Sequence, residues 1–270
     1  MADNADHFGT LRRDITLIDA VGIGLGAIIG AGIFVVTGVA AGVAGPAFII
    51  GLIIAGIAAT CNALSSAELA ATYPQSGGTY EYGYQLLHPI LGFAAGWMFL
   101  ASKLAAGGTV ALGFGAYFSQ LVPAMPAQYA AIIAAILLTA ANLFGIKKAG
   151  RFNTVIVAVT LLALVCFVIV GIPSFDLVNL SPFAPTGFFG IAESAALLFF
   201  AYTGYARIAT LGEEVHEPKK TIPRAVIITI IISVILYLAV AMVAVGSVGS
   251  ATLSQSSSPL QEASKTFPIP

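Results

Sequence analysis

The chain alternates between long apolar stretches and short segments that carry glycine, proline and polar residues. Residues 20–67, 104–146 and 225–261 contain no Asp, Glu, Lys or Arg. Each stretch is longer than the ~20 residues that cross the hydrocarbon core of a bilayer, so the first two must hold more than one crossing. Turn signals such as Gly45-Pro46 divide them further. The pattern predicts seven transmembrane helices, at residues 15–44, 46–69, 90–121, 129–146, 152–172, 188–211 and 222–248.

The composition favours a membrane protein over a water-soluble one. Hydrophobic residues make up 59% of the 270 residues and charged residues only 9%, which leaves too few polar side chains to cover a soluble domain. We expect one membrane domain over residues 1–270, with the lipid bilayer as its solvent. The net charge of −1, with its charges confined to loops and helix ends, gives no support for a nucleic-acid partner.

The cysteines and histidines do not suggest a cross-link or a metal site. Cys61 and Cys166 both lie in apolar stretches, where a free thiol packs as a small apolar side chain. His7, His88 and His216 are far apart in the sequence. We therefore expect no disulfide and no bound metal.

Basic residues cluster on one side of the predicted bundle. They precede the first span, join the fourth to the fifth and join the sixth to the seventh, at Arg12, Arg13, Lys147, Lys148, Arg151, Lys219, Lys220 and Arg224. The loops of the opposite side carry only Lys265. Because basic loops stay in the cytoplasm, we expect a multi-pass protein of the plasma (cytoplasmic) membrane with its amino terminus inside.

Glycines interrupt the first and the sixth predicted spans near their middles. Span one contains Gly30-Ala31-Gly32, and span six has a single glycine, Gly204, among bulky side chains. Glycine in a membrane helix either permits close approach of a neighbouring helix or lets the helix unwind so that backbone groups face a ligand. Paired interruptions favour the second use, because free amides bind a carboxylate and free carbonyls bind a cation. An amino acid carries both groups.

Several longer motifs resemble those of the amino acid, polyamine and organocation transporter superfamily. They stand in the same order and at the ends of matching spans, and they cover nearly the whole chain. They are residues 26–34 in span one, residues 67–80 after span two, Gly96-Trp97 in span three, and residues 212–224, which begin GEEVHEPKK, between spans six and seven.

The resemblance implies an all-α transmembrane fold, the 5+5 inverted-repeat bundle of the bacterial leucine transporter, with discontinuous helices 1 and 6. Residues 1–173 would form the first five-helix repeat, and residues 187–248 the first two helices of the second repeat. Because the family usually has twelve spans, the chain would stop before span eight. The implied function is secondary active transport of an amino acid or related small amine by alternating access, without enzymatic activity.

The resemblance also assigns substrate-binding roles around the two interruptions. They are the amides of Ala31 and Gly32 for the carboxylate, the carbonyls of Ile28 and Thr203 for the amine, Gly204 for the unwinding, and Phe200 and Tyr202 as aromatic neighbours. Thr160 stands where proton-coupled relatives carry a lysine in span five, although its hydroxyl could contribute to a cation site. A proton or a sodium ion is the expected coupling ion, and no other cofactor is expected.

Three charged residues stand at positions that could couple or gate transport. Lys103, inside span three, costs roughly 2.5–3.5 kcal/mol to insert unless it is paired or hydrated. It could face the transport cavity as a coupling group or substrate anchor, or it could snorkel or meet a structural carboxylate such as Glu193 or Glu68. Glu68 could pair in an inner gate. Arg207 could gate with the carboxylates at 213–214 or lie beside them at the interface.

Two other function classes fit part of the pattern. A seven-helix membrane receptor or sensor would share the span count and one buried lysine, but such proteins resemble a bundle with an outside amino terminus and a lysine in the last helix. An intramembrane enzyme would need paired Asp, an activated Ser or a His metal motif within its spans, and these spans have none. Among solutes, a neutral or small amino acid is favoured because no acidic group is evident in the inferred pocket. Lys103 leaves an anionic substrate open.

Overall fold

The computed structural model describes residues 14–73, 78–143, 149–211 and 214–268. Across these ranges the chain is helical, with turns and short 3₁₀ segments between the helices. The α-helices are α1 Leu17–Ile28, α2 Thr37–Ala44, α3 Phe48–Thr72, α4 Thr79–Leu86, α5 Pro89–Leu121, α6 Ala127–Leu143, α7 Ala149–Gly171, α8 Gly187–Tyr202, α9 Ala206–Ala209, α10 Pro218–Gln255 and α11 Pro259–Ser264.

Five helical stretches in the described ranges are long and apolar enough to cross a membrane. They are Leu17–Ala70, Pro89–Leu121, Thr154–Ser174, Gly187–Ala209 and Pro218–Gln255. The first stretch has 54 residues, more than twice the ~20 residues that one crossing needs. A shorter apolar helix, Ala127–Ala140, overlaps the predicted fourth span. The prediction of an all-α bundle of apolar helices is therefore confirmed.

Helix boundaries follow from local chemistry at several ends. Thr16 and Asp19 form a capping box at the start of α1, in which the Thr16 hydroxyl donates to the Asp19 carboxylate at 2.6 Å. Gly45, with φ +59°, turns the chain between α2 and α3. Gly249, with φ +76°, breaks the regular winding of α10 next to the predicted span end at residue 248.

Two short helices lie where the sequence indicated only connecting segments. α4 follows a turn at Gly78, and α11 follows Ser258. α4 packs closely on α5, since a Cβ added to Gly83 would lie 3.0 Å from the Cα of Gly92. Helices of eight and six residues are too short for hydrophobic periodicity to distinguish them from loops.

The core is built around α10, which packs against α1, α2 and α3, while α3 packs against α8. Phe48, Tyr202 and Tyr237 are among its fully buried side chains. In contrast, α5 exposes large apolar side chains such as Trp97 and Met98, which are 64% and 70% accessible. Such a surface is suited to hydrocarbon rather than to water.

Candidate functional site

The first transmembrane stretch is interrupted at the glycines that the sequence singled out. α1 ends at Ile28, Ile29 has extended backbone angles (φ −75°, ψ 106°), and a π-helical turn, Gly32–Val36, leads into α2. The carbonyl of Gly30 accepts from the amides of Ile33 and Phe34. Within the described residues, the backbone amides at positions 30, 31 and 32 donate no hydrogen bond. Among the described residues, these three backbone donors are therefore left without an acceptor, as at the start of a helix.

The second interruption is tighter than the first. α8 ends at Tyr202, and a 3₁₀ turn, Thr203–Tyr205, connects it to α9. The amide of Ala206 donates to the carbonyls of Thr203 and Gly204. Backbone hydrogen bonding is thus rearranged here rather than lost, and the Thr203 carbonyl keeps one lone pair for another donor.

The two interruptions lie directly against each other. A Cβ added to Gly32 would lie 2.5 Å from the Cα of Ala201, and a Cβ added to Gly204 would overlap the backbone of Ala27 and Ile28. Close packing and interrupted winding therefore occur at the same glycines.

A residue that sequence reasoning missed, Tyr237 of α10, lies at the end of α1. Its hydroxyl donates to the carbonyl of Ile28 at 2.8 Å and lies 3.5 Å from the carbonyl of Ala201. Its ring lies 5.5 Å from the ring of Tyr202, whose own hydroxyl reaches the Leu52 carbonyl at 3.4 Å. A tyrosine in the middle of an uncharged span was the available signal, because a buried phenol needs a hydrogen-bond partner.

The other end of α1 is tied to the segment that precedes α10. The amide of Ile15 donates to the carbonyl of Glu214 at 3.1 Å, and the amide of His216 donates to the carbonyl of Ile15 at 3.0 Å. These bonds form an isolated parallel bridge between Ile15 and Val215. α1 is therefore a short helix held by a backbone bridge at one end and by the Tyr237 hydroxyl at the other.

The candidate coupling residues, Lys103 and Thr160, make local contacts. Lys103 lines a cavity of about 900 Å³ between α5 and α6, and its ammonium lies 5.3 Å from the centre of the Phe99 ring. Thr160 is half-buried on α7, and its hydroxyl donates to the Ile156 carbonyl of the same helix at 2.9 Å. Phe200 is half-buried close to the second interruption, where its carbonyl accepts from the Thr203 hydroxyl at 2.9 Å.

The candidate gate residues are exposed. Glu68 lines a cavity of about 390 Å³ between α3 and α10, together with Lys219. Arg207 is exposed on α9, and residue 213, one of its two proposed partners, lies outside the described ranges. The ion pairs found in the part of the chain that the structure describes are Glu217 with Lys220 and Glu262 with Lys265. Neither involves a candidate gate or coupling residue.

The Glu217–Lys220 pair lies at the start of α10. The Lys220 ammonium lies 3.1 Å from the Glu217 carboxylate, and this hydrogen bond lowers the pKa of Glu217 below its ordinary value. Both side chains are more than half exposed, so the pair is a surface feature that contributes little to stability.

Comparisons with known proteins point to one family. The family model described as amino acid permease matches residues 19–266. An uncharacterized transporter of Mycobacterium tuberculosis is 43% identical over 265 residues, which cover 97% of this chain and 59% of that protein. The methylthioribose transporter of Bacillus subtilis is 37% identical over 264 residues, covering 91% and 57%. The branched-chain amino acid permease of the same species is 32% identical over 257 residues, covering 88% and 55%.

The chain thus spans less than two thirds of the length of these curated relatives. The matched family and the named relatives are transporters rather than enzymes, which agrees with the class expected from the resemblance. Family membership and the long apolar helices together identify an integral membrane protein. Since the family model covers nearly all of the sequence, the chain belongs to the amino acid permease family.

Proposed function

We propose that the chain carries the substrate site of a secondary active transporter, a permease that moves an amino acid across the membrane by alternating access. The observation that carries this proposal is the interruption after α1, where the carbonyl of Ile28 is followed by three amides that have no acceptor among the described residues. Family membership supports the transport class. The interruption adds a physical reason for a substrate with both charges.

The backbone on the two sides of the interruption offers opposite partial charges. The amides of Ala31 and Gly32 begin the next helical segment, and a helix start attracts anions. The carbonyl of Ile28 ends α1, and a helix end favours cations. In this proposal the substrate carboxylate binds the two amides, and its ammonium binds the carbonyls of Ile28 and Thr203. Gly204 allows the second helix to approach this point.

The Tyr237 hydroxyl takes the place of the ammonium in the substrate-free protein. It already donates to the Ile28 carbonyl, so that carbonyl is not left unsatisfied in the core. On binding, the ammonium replaces this donor and the hydroxyl moves aside. Phe200 and Tyr202 then cover and flank the substrate.

We also propose the finer arrangement of the helices. The seven spans are the α1–α2 stretch, α3, α5, α6, α7, the α8–α9 stretch and α10, arranged as part of a 5+5 inverted repeat. In this arrangement the basic residues before α1, around the start of α7 and in the first two turns of α10 would lie on the same side. By the positive-inside rule that side is cytoplasmic, which places the amino terminus inside at the plasma membrane.

The substrate class follows from the chemistry of the interruption rather than from the relatives. The named relatives are a methylthioribose transporter and a branched-chain amino acid permease, so their names alone do not select one solute. Backbone groups supply both charges without an acidic side chain, which favours a neutral or small amino acid. A proton or a sodium ion is the proposed coupling ion, with Thr160 as a hydroxyl ligand.

A substitution at Ala31 tests the amide site directly. Ala31 has φ −52°, which a proline ring accepts, and its amide has no acceptor in the described part of the chain. Ala31→Pro therefore removes one donor without breaking an internal hydrogen bond. Loss of one hydrogen bond to a charged group is worth about 1.5–3 kcal/mol, so affinity should fall by at least tenfold. Ala31→Ser keeps the amide and serves as the matched control.

The assay is uptake of a panel of radiolabelled amino acids into proteoliposomes, under imposed proton or sodium gradients. The protein is expressed from its complete gene. We expect gradient-driven uptake of at least one neutral amino acid, retained in Ala31→Ser and weakened in Ala31→Pro. Absence of uptake for every amino acid and gradient, or equal affinity in the two variants, would contradict the proposal.

A further inference from the structure

Three hydroxyl side chains lie on one face of α10. Thr229, Ser233 and Tyr237 are spaced four residues apart, which places them one above the other along a helix. All three are fully buried. We call these residues the hydroxyl stripe. Buried hydroxyls in such an apolar helix need a reason, because burial of polar groups is unfavourable unless they are hydrogen-bonded.

The hydroxyl stripe faces α1 and leads towards the interruption. A Cβ added to Gly24 of α1 would lie 2.9 Å from the Thr229 hydroxyl oxygen. Further along, the Tyr237 hydroxyl bonds to the carbonyl of Ile28. The stripe therefore begins beside the middle of α1 and ends at the candidate substrate site.

One member of the stripe has no hydrogen-bond partner. The Ser233 hydroxyl donates to the Thr229 carbonyl at 2.8 Å, as serine and threonine usually do within a helix. The Thr229 hydroxyl is buried, and among the described residues it has no partner. It lies against Gly24 and close to Ile208 of α9, whose Cδ1 also meets Gly24. A buried hydroxyl without a partner is destabilising, so this contact is not explained by stability.

We propose that the hydroxyl stripe is one wall of the path between the substrate site and the side of the membrane on which α1 begins. The inference rests on the proposed function. In the structure, α1 covers this wall with Gly24. When α1 separates from α10, the stripe faces the opening, and the Thr229 hydroxyl binds the passing zwitterion and its water. The ligand class is a small polar solute with charged ends.

The construction of α1 supports this movement. α1 has 12 residues and is separated from the rest of its span by the interruption, so it can move without bending a continuous helix. Besides its apolar packing against α10 and α7, α1 is held by two polar contacts that can be exchanged, the Ile15–Val215 bridge at its start and the Tyr237 hydroxyl at its end. Hydrogen bonds of this kind can exchange with water or substrate as the path opens.

Single cysteines test which face of α10 becomes accessible. In a background with Cys61 and Cys166 replaced by alanine, cysteine is introduced at Thr229, at Ser233 or, as the control, at Ile230. Ile230 is as deeply buried as the stripe, but it lies on the same side of α10 as Val234, whose side chain meets Gly56 of α3. A membrane-impermeant cationic methanethiosulfonate is applied from each side in turn.

We expect the Thr229→Cys and Ser233→Cys proteins to react at least tenfold faster than Ile230→Cys, and only from the side on which α1 begins. Equal, slow reaction at all three positions in proteins that still take up amino acid would overturn the proposed path. Failure of the proposed function would be seen separately, as absent uptake by the unmodified protein.

A second pair of variants tests the proposal even if the cysteine proteins misfold. Thr229→Val removes the unpartnered hydroxyl at nearly constant shape, and Thr229→Ser keeps it. The path proposal expects Thr229→Val to unfold at a higher temperature than the unmodified protein yet to transport several-fold more slowly, with unchanged substrate affinity. Thr229→Ser should retain the transport rate. A Thr229→Val protein that transports at the full rate would overturn the role of the hydroxyl.

Discussion

Removal of the Tyr237 hydroxyl oxygen changes a single heavy atom at the interrupted helix. Tyr237→Phe removes only the oxygen that donates to the Ile28 carbonyl at 2.8 Å, and the ring keeps its buried position beside Tyr202. The carbonyl then loses its donor in the substrate-free protein. A buried acceptor left unsatisfied costs about 1–3 kcal/mol. We expect the free energy of unfolding of the substrate-free protein to fall by that amount.

Substrate binding should respond in the opposite sense. The proposed ammonium supplies the missing donor, so the destabilisation applies to the empty protein and is relieved in the complex. If about 1–2 kcal/mol is recovered in this way, the substrate binds roughly 5–30 times more tightly to Tyr237→Phe. Tyr117→Phe is the matched control, because the Tyr117 hydroxyl donates to a backbone carbonyl, that of Phe34, at the same distance of 2.8 Å but is not among the proposed substrate-binding groups. Substrate affinity of Tyr117→Phe should remain unchanged.

Both quantities are accessible with purified protein in lipid nanodiscs. Thermal unfolding with and without amino acid measures the stability of the empty and bound forms. Equilibrium binding of a radiolabelled amino acid that the uptake panel has identified measures affinity. Unchanged or weaker binding to Tyr237→Phe would refute the replacement of the hydroxyl by the ammonium, whatever its effect on stability.

Three further predictions concern packing, movement and charge. Gly204→Ala should lower the free energy of unfolding by about 1–3 kcal/mol, because the added methyl would overlap the backbone of α1. Gly30→Ala should change it little, because a methyl at this position has open space around it. Thermal unfolding of the two variants measures the difference. A disulfide between Ile15→Cys and Val215→Cys should stop uptake but preserve binding, and uptake that continues in the cross-linked protein would show that this bridge does not open. Lys103→Ala should keep substrate affinity, since Lys103 lines a cavity between α5 and α6, but it should abolish uptake or its pH dependence. An uptake rate and pH dependence equal to those of the unmodified protein would show that Lys103 has no role in coupling.

The sequence predicted the helical fold and the position of the interruptions because both depend on local composition. Uncharged stretches longer than a bilayer crossing require helices. Glycine at 30 and 204 marks the positions at which regular winding changes. The tighter 3₁₀ form of the second interruption was not predicted, since it depends on how Gly204 packs against α1.

The groups that complete the candidate site were less predictable. Tyr237 reaches Ile28 across 209 positions of sequence, and no spacing rule connects residues so far apart. Thr229 and Ser233 stand in an uninterrupted apolar run, where isolated hydroxyls give no sequence signal. The bridge between Ile15 and Val215 is formed by backbone atoms, which side-chain patterns do not specify.

In the proposed site, the amides of Ala31 and Gly32, which have no acceptor among the described residues, hold the substrate carboxylate. Solid-state NMR can measure this contact in membranes, by dipolar recoupling between a substrate labelled with ¹³C in its carboxylate and protein labelled with ¹⁵N at alanine and glycine. Hydrogen bonds with N–O distances near 3 Å place the carboxylate carbon about 4 Å from the amide nitrogens, so the account predicts dephasing at Ala31 and Gly32 that disappears when excess unlabelled substrate is added. A bound substrate that gives no contact with either nitrogen would contradict it.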